Sequence, residues 1–186
     1  MPQQTEMTPE QYAAMEPDKV LFTMRIIAGA LIAGVVMFGA IASAAVFGER
    51  PAVQRGGPPA ALPQNATEIL MYLGLAGAVG AVVMSFVVSN LVSAAGVKGV
   101  AKMAQDGTST GPKELFGRLL AVAQTKMMIA LALIEGAAFF NLVAFIFTKS
   151  LIPPAIVGVL LLVMAIHFPT KFKLARWLEE QQRLLS

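Results

Sequence analysis

Residues 127–148, MMIALALIEGAAFFNLVAFIFT, form an apolar run with one carboxylate, Glu135, in its interior. A hydrocarbon core of about 30 Å takes roughly 20 residues of helix, so a run of this length crosses a bilayer and carries Glu135 well inside it. An ionised acid at that depth costs at least about 3 kcal/mol on insertion scales, so the group is expected to be protonated, paired or wetted. It is the only acid in any of the chain's apolar runs.

Three further runs, about 20–48, 69–97 and 150–168, account for most of the remaining length. Together the four predict an all-α polytopic membrane protein with four transmembrane helices. The composition agrees: of 186 residues 56% are apolar and 13% charged, and the mean hydropathy is +0.70. Such a chain departs from soluble averages in the direction of a membrane protein. Eleven of the fourteen Lys and Arg fall in the N-terminal tail, the loop at 98–126 and the C-terminal tail, and only Arg50, Arg55 and Lys149 fall on the other side. Short loops rich in Lys and Arg stay inside, so both termini and the 98–126 loop are expected in the cytoplasm and the protein in the cytoplasmic (inner) membrane.

The chain has no Cys and one His. Thiolate metal sites, disulfides and thiol nucleophiles are therefore excluded, and no Ser-His-Asp set or His pair is available. With His167 at the far end of its span from the depth of Glu135, an enzyme is not expected, and neither is a metal or any cofactor beyond a proton or sodium ion. Basic charge at the inner face is read as topology and affinity for anionic lipid, not nucleic acid.

Residues 1–19 form a polar tail, disordered or loosely helical. In the first helix Gly29 with Ala33 and Ala30 with Gly34 are small-residue pairs four apart, which let helix backbones approach. The stretch 48–68, GERPAVQRGGPPAALPQNATE, reads as an exposed outer loop. In the second helix Gly74, Gly77 and Gly80 make the outer half nearly flat, while Ser85, Ser89 and Ser93, four apart, form a stripe beside Asn90 in the inner half. Pro112 restarts helix after the turn at 106–111, and the segment to 126 lies at the inner interface or extends the third helix into the cytoplasm. Residues 169–186, PTKFKLARWLEEQQRLLS, are expected to form an amphipathic cytoplasmic helix on the membrane surface.

Counted from the inner ends of their runs, Glu135 and the pair Ser89 and Asn90 each lie about eight residues deep. In an antiparallel hairpin of the second and third helices, Ser85, Ser89 or Asn90 would be hydrogen-bond partners of the acid.

Residues 73–148 resemble the membrane-rotor proteolipid, subunit c of rotary ATP synthases. The likeness lies in a Gly- and Ala-rich first helix (LGLAGAVGAV, 73–82), a basic inner turn (VKGVAK, 97–102) and a helix with a lone central acid (ALALIEGAAFFNLVAFIF, 130–147). That family's Arg-Gln-Pro loop has no counterpart, since Met103, Ala104 and Gln105 follow Lys102. The resemblance implies that Glu135 binds a proton or sodium ion, with the serines of the second helix as co-ligands. Two functions follow as expectations: ion binding at Glu135 within such a hairpin, or a non-catalytic accessory or assembly subunit in which a protonated Glu135 locks the bundle by a hydrogen bond. Either implies the lipid bilayer and other membrane subunits, or further copies of the chain, as partners.

Overall fold

The computed structural model describes residues 8–48, 63–109 and 111–185, and in them the chain forms six helices and no strand. They are α1 (Pro9–Ala13), α2 (Pro17–Phe47), α3 (Gln64–Gln105), α4 (Pro112–Thr148), α5 (Ile152–Ile166) and α6 (Lys171–Leu185). Most of the expected outer loop, with Arg50 and Arg55, lies outside the described residues.

Three helices, α2, α3 and α4, are long and apolar enough to cross a membrane, and a fourth crossing is reached only by counting α5 together with α6 across a bend of 59°. The architecture is thus a polytopic helical bundle with three, or up to four, spans. The short fourth run has a local cause. Pro153 and Pro154 hold the start of α5, and the turn before Pro169 ends it after 15 residues, about 22 Å of rise against a core of about 30 Å. By contrast α3 and α4 overrun their apolar stretches, with 42 and 37 residues. The segment 112–126 is helical and continuous with the rest of α4.

Two of the long helices, α3 and α4, stop for a visible reason. Gly107 takes φ +63° after α3, and the Thr108 N–H bonds the Met103 carbonyl at 3.2 Å, a six-residue closure that satisfies an otherwise orphaned acceptor. At the end of α4 the same left-handed position is held by Lys149, φ 53°, whose N–H donates to the Phe145 carbonyl at 2.8 Å. A side chain pays for that conformation with steric strain that glycine would not feel.

Helix contacts divide the chain into two compact units, one containing the chain through Ala28, Phe86–Ala130 and the chain from Phe168, the other Gly29–Ser85 and Leu131–His167. In the first, Val20, Met24, Val100, Leu119, Leu120 and Leu178 are buried together, with Leu174 and Trp177 of α6 packed against them. Leu174, Trp177 and Leu178 of α6 thus face protein, while Phe172 and Ala175 of the same helix are exposed. Lys171 ties α6 to Asp18 of α2 by an exposed ion pair at 2.7 Å. Close by, the Arg25 Nε donates to the Pro169 carbonyl at 3.3 Å.

Within the N-terminal segment Pro9–Ala13 is helical. Thr8 and Gln11 form a reciprocal capping box on α1, with Pro9 at the first helical position. α1 then rests on α4 at Gly117, where an added Cβ would collide with the Tyr12 carbonyl. Only a residue without a side chain allows that approach.

In the second unit α4 is the shared surface. Ile134, Ala138, Leu142 and Phe145 of α4 are buried, as are Val35 and Ala42 of α2 and Leu160 and Met164 of α5. Phe38 meets Phe139 edge-on at 5.4 Å between ring centroids, and Phe47 meets Phe145 at 5.8 Å.

Two substitutions test these local arguments. Gly117→Leu is expected to expel α1 at a cost of about 1–3 kcal/mol, seen as hydrogen exchange at residues 9–13 rising to that of an unpacked peptide while α4 stays protected. Lys149→Gly is expected to stabilise the protein by about 1 kcal/mol, read as a raised Tm in detergent.

Candidate functional site

Glu135 projects from the middle of the apolar part of α4 in the second unit and is half-buried. Its carboxylate lies over the backbone of α2 at Gly34, where a Cβ would stand 3.9 Å from Oε1 and 4.0 Å from the Phe139 ring. Gly136 beside the acid faces open space. Among the described residues the carboxyl has neither a hydrogen bond nor an ion pair. An acid in a span without a partner must either be neutral or be met by something outside the chain.

The polar stripe of α3 is placed differently from the sequence expectation. Ser85, Ser89 and Ser93 are buried, but the Ser85 hydroxyl donates to the Val82 carbonyl at 2.7 Å and that of Ser89 to the Phe86 carbonyl at 3.3 Å. Both are turned back on their own helix, as a hydroxyl in lipid often is. Asn90 points outward and is exposed. Ser85, which shares the second unit with Glu135, makes its hydrogen bond within α3 and not to the acid.

Register explains this. α3 and α4 are antiparallel, with Gly74 against Asn141 in the second unit. Six residues from each, Glu135 is level with about Gly80. The inner ends of the two apolar runs are not level. In the first unit Gly96 packs on Val122, where a Cβ would stand 2.6 Å from Cγ2, so Val97 is level with about residue 121 and not with Met127. Gln124, Thr125 and Lys126 end the apolar pattern of α4 before the helix contact ends, which put the inferred depths out of step.

Of the glycines expected to pack, Gly34 and Gly74 do so. Gly29, Gly77 and Gly80 have no neighbour within 4 Å of a notional Cβ. His167 closes α5, with Nδ1 2.9 Å from the Val163 carbonyl oxygen. No group of three His, Cys, Asp or Glu that could hold a metal ion occurs among the described residues.

Two polar residues escaped the sequence reading. Asn141 is fully buried, its Nδ2 donating to the Gly74 carbonyl at 3.1 Å and to the Ala137 carbonyl at 2.9 Å. Its Oδ1 has no partner and would stand 2.7 Å from a Cβ at Gly74. The bond from Nδ2 to Gly74 is the polar tie between α3 and α4, and Gly74 is bare because the amide occupies the space. Its sequence signal was a second polar residue in the apolar run, overshadowed by the acid.

Glu114 is the other, 2% exposed in the first turn of α4 and ion-paired to Arg118, one turn on. Arg118 Nε and Nη2 each lie 2.8 Å from Glu114 Oε1, and the guanidinium stacks 4.5 Å from the Tyr12 ring centroid. A buried, salt-bridged carboxylate is therefore present in the bundle at Glu114, where it holds α1. The four-residue spacing of an acid before an arginine was its legible sign.

Comparison with protein-family models, curated proteins and solved structures found no match for this chain.

The contact of Asn141 with Gly74 is open to a double-mutant cycle. Gly74→Ala alone is expected to cost about 1–3 kcal/mol by overpacking against the amide. Combined with Asn141→Ala it should cost clearly less than the sum of the two single changes, in thermal unfolding of the detergent-solubilised protein.

Proposed function

We propose that this chain is a multi-pass protein of the cytoplasmic membrane, with both termini inside, in which Glu135 binds and releases a monovalent cation, in the first place a proton. The observation that carries the reading is a carboxyl in the middle of a spanning helix with no donor or cation bonded to it among the described residues, set against a glycine. Desolvation favours the protonated form of an unpaired acid, and a group that is neutral but near a route for water can exchange its proton. The likeness of residues 73–148 to subunit c of rotary ATP synthases points the same way, with α3 and α4 as the hairpin.

Sodium fits less well than a proton. A hard cation takes several oxygen ligands, and Gly34 and Phe139, which border the Glu135 carboxyl, have no side-chain oxygen to offer. A proton needs only the carboxyl. The competing role, an accessory or assembly subunit whose buried Glu serves as the hydrogen-bond lock, draws less support, because the interhelical bond in this hairpin is made by Asn141.

Modification by dicyclohexylcarbodiimide tests the proposal, since the reagent partitions into lipid and reacts with a protonated carboxyl. Labelling confined to Glu135, abolished by Glu135→Gln and falling as pH rises, is expected. Protection by sodium would transfer the site to that ion. Absence of labelling at every pH, or full function of the Gln variant, would remove ion binding at this residue.

A further inference from the structure

Asn90 is a carboxamide on the outward side of α3, seven residues from the inner end of its apolar run, and it makes no hydrogen bond among the described residues. An amide offers two donors and an acceptor, and facing lipid with none of them bonded is costly. It is therefore expected to meet a polar partner from outside the chain. Around it, Ala76, Gly80, Val83, Val87, Asn90 and Ala94 recur at alternating intervals of four and three, and all six are exposed. Val83 is 53% and Val87 46% exposed, and a Cβ at Gly80 would meet nothing within 4 Å. Alternation of four and three is the spacing of a helix seam that follows another helix, with small residues permitting close approach and one asparagine holding the register. The face by which α3 packs within the chain is a different one, carrying Gly74, Ala78, Ser85 and Ser89.

We infer that this seam pairs α3 with α3 of a second copy of the chain about a twofold axis, with Asn90 bonded to Asn90 at its centre. The chemistry of the residue selects the occupant. Copies inserted by the same charge rule share one orientation, so their α3 helices run parallel and equal residue numbers meet at equal depth. A carboxamide is complementary to itself, since each copy donates an N–H and accepts at its carbonyl, whereas a lysine or a carboxylate in that place would repel its own image. Ala94 on one side of Asn90, and Gly80 and Ala76 beyond Val87 and Val83 on the other, keep the seam low enough for the two backbones to come near.

The chain has no cysteine, so a single introduced one reports unambiguously. In the full-length protein reconstituted in bilayers, Val83→Cys and Val87→Cys are expected to give disulfide-linked dimers on mild oxidation. Leu75→Cys and Phe86→Cys, about 80–100° away around the helix, are not. Adding Asn90→Leu to the Val87→Cys chain should lower the dimer yield at limiting protein-to-lipid ratio by about ten-fold, and Asn90→Gln should retain most of it. Asn90 is exposed, so neither change disturbs the fold of one copy, which an unaltered Tm would verify. Equal cross-linking from all four positions, a dimer indifferent to Asn90→Leu, or cross-links in native membranes only to a different protein would each overturn the pairing.

Discussion

Close approach of backbones holds this bundle together. Lipid is as apolar as the helix surfaces it bathes, so apolar contact alone gives two spanning helices little reason to prefer each other over acyl chains. Association then depends on positions where side chains are missing and main chains come near. Gly74 supplies one such position and Gly117 another: the first admits the Asn141 amide to a carbonyl of α3, the second admits the Tyr12 carbonyl to the side of α4. Both contacts land on α4. Nearly half of its apolar stretch is buried, against 11% for α2 and 17% for α3, and it is the helix on which the others are arranged.

That arrangement gives the polar residues of α4 separate duties. Asn141 and Glu135 stand six residues apart, about 240° around the helix, and so address different neighbours. Asn141 faces α3, has both N–H donors bonded and is sealed from solvent. Glu135 faces α2 at a glycine, bonds nothing and keeps part of its surface open. A group that stabilises a helix pair ought to look like the former, and a group that exchanges an ion ought to look like the latter.

Much of the fold was legible because its signals are local. The long apolar runs marked α2, α3 and α4, Pro112 marked a helix start, and the Asp106–Gly111 turn marked the break between α3 and α4. What was not legible depends on partners. The pattern of α6 suits a membrane surface and a protein core equally, so the packing of Leu174, Trp177 and Leu178 in the core of the first unit could not be read from it. The extension of α4 back to Pro112 was among the expectations, but the end of α3 read from hydropathy stopped short of Gln105, because a helix outlasts its apolar pattern when its next turns bury one side against protein. That error carried into the site. Depth measured from the ends of runs put Ser89 level with Glu135, whereas the register fixed by Asn141 and Gly74 puts Gly80 there.

The serine stripe then has an explanation that requires no ligand. Gly74, Ala78, Ser85, Ser89 and Ser93 are the buried side of α3, with Gly96 and Val100 continuing it in the first unit. At each of these positions but the last a small side chain keeps the hairpin close, and serine does so at the cost of one hydroxyl that its own helix satisfies. As far as packing goes, serine is thus interchangeable with alanine on this face. Asparagine is different, since its amide is too large and too polar to be absorbed by its own helix. The two asparagines of the hairpin illustrate both outcomes: Asn141 found a carbonyl across the interface, while Asn90, about 100° around α3 from Ser89, is exposed and bonds none among the described residues.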